Sequence, residues 1–130
     1  MEGIKKVYDF MDEAKNFYFA TVEGDQPRVR VYGAVLLFEN KIYLMVMNGT
    51  KAPAQLAENP KFEACAFKGK WLRLSGKLVP DGRAEVKKAM IEKMPPLGES
   101  LGEEGLLMYY VKDATAVFAD MKGEIETIIF

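Results

Sequence analysis

Short runs of aromatic and β-branched residues, separated by brief turn signals, restrict this chain more than any other feature. FYFATVE at Phe17–Glu23 is followed by Gly24-Asp25, RVRVYGAVLLF at 28–38 by Asn40 and Lys41, and IYLMVM at 42–47 by Asn48-Gly49. Strand patterns this close together return antiparallel, as hairpins. Two more runs, at 62–67 and 71–79, flank the Lys68-Gly69-Lys70 turn, and the chain closes with runs at 106–111, 114–119 and 125–130. Gly33, inside the second run, marks a bulge or a close approach of backbone.

Helical spacing is confined to a few segments. Ile4, Val7, Tyr8, Met11 and Ala14 recur at three- and four-residue steps, which places them on one face of an amphipathic helix. Thr50 as N-cap and Pro53 in the first turn predict a short helix that ends at Asn59-Pro60. A further helix over 84–94 begins after Pro80-Asp81-Gly82 and stops at Pro95-Pro96, while the Gly- and Glu-rich stretch 97–105 reads as a mobile loop. No repeat or composition shift divides 1–130 into two domains. About six strands with peripheral helices predict a mainly β protein, an antiparallel barrel, because closing the sheet removes its edges.

Composition excludes several chemistries. The chain has no histidine, which removes Ser-His-Asp and Cys-His nucleophiles, His-ligated zinc and a proximal-His haem. A single cysteine, Cys65, forms no internal disulfide or zinc site, and in the apolar run FEACAF it reads as an inert core thiol. Eighteen Lys and Arg against nineteen Asp and Glu give a net charge of −1, so bulk charge drives binding neither to nucleic acid nor to an anionic membrane. No apolar run approaches the roughly 20 residues needed to cross a bilayer. The N-terminal segment has acids early and no apolar core, unlike a signal peptide. A cytoplasmic protein without a metal site is expected, and any chemistry would need a borrowed cofactor.

The placement of positive charge is more specific. Arg28 and Arg30, two apart in a strand, leave the same face, with Val29 and Val31 on the other. They form either a solvated polar stripe or a pair of guanidinium groups sharing an anion, and the planar guanidinium fork suits phosphate oxygens. Asn48-Gly49-Thr50-Lys51 lies at a strand-to-helix junction, where it is either a simple cap or an anion site. It lacks the P-loop spacing. With Arg28 and Arg30, Lys51 makes three cations for one dianionic phosphate, and the binding reading moves ahead. In WLRLSGK, Trp71, Arg73 and Ser75 share a face, and Gly76 relieves crowding beside them. Trp71 either plugs the barrel or stacks on an aromatic ligand. Tyr32, Tyr109 and Tyr110 are proton donors or core residues, and no catalytic residue is assigned.

In this order and spacing, the segment from ATVEGDQPRVRVYG through KFEACAF, then KWLRLSGKLV and the closing VFADMKGEIETIIF resemble the pyridoxamine 5′-phosphate oxidase-like family of flavin-binding split β-barrels. The likeness spans nearly the whole chain and is closest to the short, general-stress-protein-like members. It implies a six-stranded split barrel that forms homodimers with FMN at the subunit interface. By position, Arg30 matches the arginine that grips the FMN phosphate. Val31 and Tyr32 fall beside the isoalloxazine edge, and Met47 and Asn48 near the ring and ribityl chain. Thr50 and Lys51 complete the phosphate site, and Trp71 falls where the partner subunit reaches the flavin. Arg28 joins the set on strand geometry alone. Short relatives commonly carry proline after the second arginine, in an R-x-R-P-F-like run, where this chain has Val31 and Tyr32. The oxidases' C-terminal arginine and histidine, which recognise pyridoxal, have no match. The resemblance therefore implies an FMN-dependent oxidoreductase of unknown substrate rather than a pyridoxamine phosphate oxidase. A non-catalytic flavin module and a deazaflavin- or haem-binding relative are the alternatives.

Overall fold

A computed structural model describes residues 2–130. In chain order the elements are α1 (Glu2–Ala14), β1 (Phe17–Glu23), β2 (Gln26–Tyr32), β3 (Val35–Phe38), β4 (Lys41–Met47), α2 (Ala52–Glu58), β5 (Lys61–Lys68), β6 (Lys70–Pro80), α3 (Ala84–Lys93), α4 (Pro95–Gly105), β7 (Leu106–Asp120) and β8 (Gly123–Ile129). The strands form one antiparallel sheet ordered β2-β1-β5-β6-β7-β4-β3, with β8 also paired to β7. The fold is mainly β, as expected, with eight strands rather than six.

Two features give the sheet its shape. The first half of β7 pairs with β4 and the second half with β8, while β6 runs alongside both halves. At the junction the β6–β7 register shifts between Ser75 and Lys77, with Gly76 at φ 159° and Asp113 at φ 52°. A Cβ on Gly76 would lie 2.8 Å from the Lys112 carbonyl oxygen, so the bulge needs glycine. The curled sheet then encloses one apolar cluster that includes Phe17, Phe19, Leu44, Leu74 and Phe118, and Val7 and Met11 of α1 enter the same cluster.

Strand β4 explains why IYLMVM shows no alternation. Ile42, Leu44 and Val46 point into the main cluster, whereas Tyr43 and Met45 belong to a second cluster with Val86 and Met90 of α3. A strand covered on both faces has no polar side to display. Tyr43 is fully buried, and its hydroxyl donates to Asp81 Oδ2 at 2.7 Å. Arg83 in turn donates to Asp81 and Glu39, which ties the start of α3 to the β3–β4 turn.

Several sequence expectations change. The run 28–38 is two strands broken at Gly33, where a Cβ would come within 2.9 Å of the Lys15 carbonyl oxygen. The β3–β4 turn is Glu39-Asn40, both left-handed, and Lys41 already belongs to β4. The runs 106–111 and 114–119 are one continuous strand. The stretch 97–105 is helical, not a loop: Pro95 and Pro96 start α4 instead of only stopping α3, and Gly102 kinks it at φ 67°. Thr50 does not cap α2. Its hydroxyl donates to the Met47 carbonyl at 2.7 Å, and Lys51 is the N-cap with no side-chain cap bond. Cys65 is half-buried on the outer side of β5, not in the core, and burial pushes its thiol pKa up. No helix among the described residues is long and apolar enough to cross a membrane.

Candidate functional site

Strand β2 has its polarity reversed. Arg30 pairs with Phe19 and Arg28 with Thr21, and residues directly opposite in an antiparallel ladder share a face. Phe19 and Thr21 are buried, so both arginines lie on the inner side of the sheet, at its edge. Val29 and Val31 face outward, 69% and 58% exposed. An ordinary edge strand would do the opposite.

The inward arginines are held differently. Arg30 Nη1 donates to Thr21 Oγ1 at 2.8 Å and Nη2 to Gln55 Oε1 at 3.1 Å. Thr21 Oγ1 itself donates to Gln55 Oε1 at 2.5 Å, and the pair is only 1% and 6% exposed. The Arg30 side chain also passes over the Phe19 ring, 5.5 Å from its centroid. These contacts orient the guanidinium, and its remaining N–H groups stay available, since it has five donors. Arg28 instead bonds Glu23, with Nε and Nη2 at 2.9 and 2.8 Å from Oε1, and that contact holds the Glu23 carboxyl below its ordinary pKa. Arg28, Arg30 and Lys51 converge on one cavity of about 520 Å³, with Glu23 and Gln55 in its wall.

Further along β2 lies a second, apolar slot of about 260 Å³ lined by Val31, Tyr32, Met45, Met47, Met94 and Leu97, together with Gly33 and Ala34. Tyr32 stacks on Phe19 with ring centroids 4.9 Å apart, and burial raises its phenol pKa, so it is protonated at neutral pH. The cationic pocket and the apolar slot meet β2 at consecutive residues, Arg30 and Val31, so anion-binding and apolar groups lie near one another along this strand.

Seven of the nine sequence candidates therefore line cavities along one edge: Arg28, Arg30 and Lys51 in the cationic pocket, Val31, Tyr32 and Met47 in the slot, and Thr50 in a third cavity that also includes Lys51. Asn48 is spent on α4, where its amide donates to the Glu104 carbonyl at 3.1 Å. Trp71 stands apart. It is half-buried at the β5–β6 hairpin, three strands from β2, and lines none of these cavities within one subunit. The single-strand reading missed Thr21 and Gln55, although a threonine at an inward position after Phe17 and Phe19 was the available signal. Nothing local announced Met94 or Leu97, which reach the slot from the α3–α4 junction.

No family model matches the chain. A curated polyvinylalcohol dehydrogenase from Sphingopyxis sp. is 39% identical over 49 residues, and the chain spans only 7% of that protein's length. Solved structures align throughout. A NimC/NimA family protein from Clostridium acetobutylicum is 36% identical with a TM-score of 0.91, over 98% of this chain and 94% of that one. General Stress Protein 26 from Bacillus anthracis superposes at a TM-score of 0.74 with 14% identity over all of both chains. A pyridoxamine 5′-phosphate oxidase homologue from Listeria innocua reaches 0.65 with 12% identity, over 98% and 97% of the two chains. The two weaker likenesses concern the fold, while the first, at 36% identity over nearly its full length, shows that the chain belongs to the NimC/NimA family, on the pyridoxamine 5′-phosphate oxidase-like split barrel.

Proposed function

We propose that this protein binds FMN, with the phosphate between Arg28, Arg30 and Lys51 and the isoalloxazine in the slot formed by Tyr32, Met45 and Met47. The observation that carries the reading is the double anchoring of Arg30 by buried Thr21 and Gln55 at the wall of a tricationic cavity. Anchoring of this kind orders a guanidinium before a ligand arrives and lowers the entropy lost on binding. The donor set fits a phosphate: three cations face one carboxylate, Glu23. When bound, the flavin supplies hydride or single-electron transfer. The protein's own part is to fix the phosphate, to exclude water from the slot with Met94 and Leu97, and to keep the Tyr32 phenol protonated. The activity best supported is a flavin-dependent oxidoreductase; a non-catalytic flavin carrier is the alternative.

The working form is a homodimer. Val29, Val31, Tyr18 and Phe67 are 69%, 58%, 53% and 62% exposed on the outer side of the β2-β1-β5 sheet. The rung Val31, Tyr18, Cys65, Arg73, Val117 crosses that face by register. A second copy covering it would bury these side chains, and Trp71, directly opposite Phe67 on the same face, would lie at that interface. Permanent homodimers bury more than about 2,000 Å² in total.

The visible spectrum of the purified protein, before and after loading with FMN and desalting, tests the cofactor. Retained oxidised-flavin bands support it, whereas a colourless protein that washes free of FMN, or one with a haem or deazaflavin spectrum, rejects it. Reduced nicotinamide with an artificial electron acceptor then separates the enzyme from the carrier.

A further inference from the structure

Helix α4 supplies part of the slot wall with little burial of its own. None of its residues is fully buried, and its apolar contacts are Leu97 and Leu101, each half-buried against the second cluster. A Cβ on Gly98 would lie 2.7 Å from Ile91 Cγ2, so the helix rests closely on α3. With so little apolar area to fix it, α4 depends on polar contacts at its two ends. At its C-terminal end Asn48 holds it: the side-chain amide donates to the Glu104 carbonyl at 3.1 Å and the backbone N–H to the Gly105 carbonyl at 3.0 Å.

At the other end stands Lys93, the residue before Met94. Its ammonium donates to the Val35 carbonyl and, at 2.8 Å, to Asp12 Oδ1, and it lies 5.0 Å from the centroid of the Tyr8 ring. The side chain is only 25% exposed. Burial opposes its charge, but the contacts with Asp12 and Tyr8 outweigh it and raise its pKa, so the ammonium is charged at neutral pH. Its partners belong to two other segments. Asp12 and Tyr8 lie on α1, while Val35 directly follows Gly33 and Ala34, which line the slot. One ammonium therefore ties the α3–α4 junction, with Met94 and Leu97, to the β2–β3 connection that forms another part of the same wall. Neither Lys93 nor Asp12 lines the slot itself.

We propose that Lys93 is a positioning residue: by pinning the α3–α4 junction to Val35 and Asp12 it sets where Met94 and Leu97 stand, so that binding in the slot depends on an α1 carboxylate that never touches the ligand. The proposal rests on the reading of the slot as the site of the flavin ring. FMN and inorganic phosphate are titrated by calorimetry into the wild type, Lys93→Met, Lys93→Arg and Asp12→Ala, with urea melts confirming that each variant folds. Hydrogen exchange of the 97–101 amides is followed in the same proteins without ligand. Lys93→Met is expected to weaken FMN by at least about fivefold and to leave phosphate, which uses the cationic pocket alone, within about twofold. Asp12→Ala removes one partner of the ammonium and should weaken FMN by about threefold. Exchange at 97–101 rises in Lys93→Met, and Lys93→Arg restores both exchange and affinity, since a guanidinium reaches the same two acceptors. Unchanged exchange at 97–101 in a folded Lys93→Met protein overturns the proposal, and so does FMN affinity unchanged in both Lys93→Met and Asp12→Ala. Equal loss of FMN and phosphate marks general damage to the fold and overturns it as well. If Lys93→Met does not fold, Asp12→Ala decides by the same criteria. In each of these cases the flavin reading stands, whereas a wild type that binds no FMN overturns that reading and this role for Lys93 together.

Discussion

Replacing Arg30 with alanine should weaken FMN binding by about tenfold to a hundredfold and leave the fold intact. The affinity term is one charge-assisted phosphate contact, worth about 1.5–3 kcal/mol, with each 1.4 kcal/mol a factor of about ten. The stability term is smaller because of what remains behind. Arg30 donates to Thr21 and Gln55, but those two groups bond each other at 2.5 Å, so its removal orphans neither. The cost to folding is therefore about 1 kcal/mol, that of ordinary hydrogen bonds between groups that keep a partner. Arg30→Lys should recover only part of the affinity, since an ammonium cannot reproduce the fork that engages Thr21, Gln55 and a phosphate at once. Fluorescence titration with FMN, paired with urea unfolding, separates the two terms. An unchanged dissociation constant in a folded Arg30→Ala protein would refute the phosphate site. A collapse of the urea midpoint with normal flavin affinity would show that Arg30 serves the fold instead.

The remaining predictions concern the frame and the assembly. Burial raises the Tyr43 phenol from 10.0 to about 12, so the fold holds the neutral form. Stability on this account is whole below pH 10.0 and falls as pH rises toward about 12, because the unfolded chain ionises first; Tyr43→Phe should flatten that slope in urea melts across the range. Gly76→Ala should cost about 1–3 kcal/mol by the same assay, since its Cβ meets backbone oxygens of Lys112 and Asp113 at 2.8 and 3.1 Å that cannot step aside. Val31→Asp should shift sedimentation from dimer to monomer; a dimer of unchanged affinity would move the interface away from this face.

Much of the architecture was legible in sequence because it follows from local chemistry. FYFATVE supplies β1 to the residue, the Lys68-Gly69-Lys70 turn joins β5 to β6, and the helical face of Val7 and Met11 is the one buried in α1. What was misread involves contacts distant in sequence. Lys112-Asp113 looks like a strand break, yet the backbone continues through it because β6 bulges opposite at Gly76. Segment 97–105 looks like a loop, yet Leu97 and Leu101 gain a surface to pack on once α3 is docked.

The same division holds for the site. Alternation along a strand places Arg28 and Arg30 on one face by backbone geometry alone, and the chemistry of arginine then favours a phosphate. Sequence therefore determined that a paired cation exists and that no histidine chemistry competes with it. It could not decide which way the pair points, because alternation names two faces without saying which is inside. Apolar Val29 and Val31 would ordinarily claim the core. Only the assembled sheet reverses them, because register sets Arg30 against Phe19 and Arg28 against Thr21, and α2 brings Gln55 from 25 residues away to receive the guanidinium. That reversal turns two edge-strand charges into a cavity wall, and it depends on strand pairing that no single segment encodes.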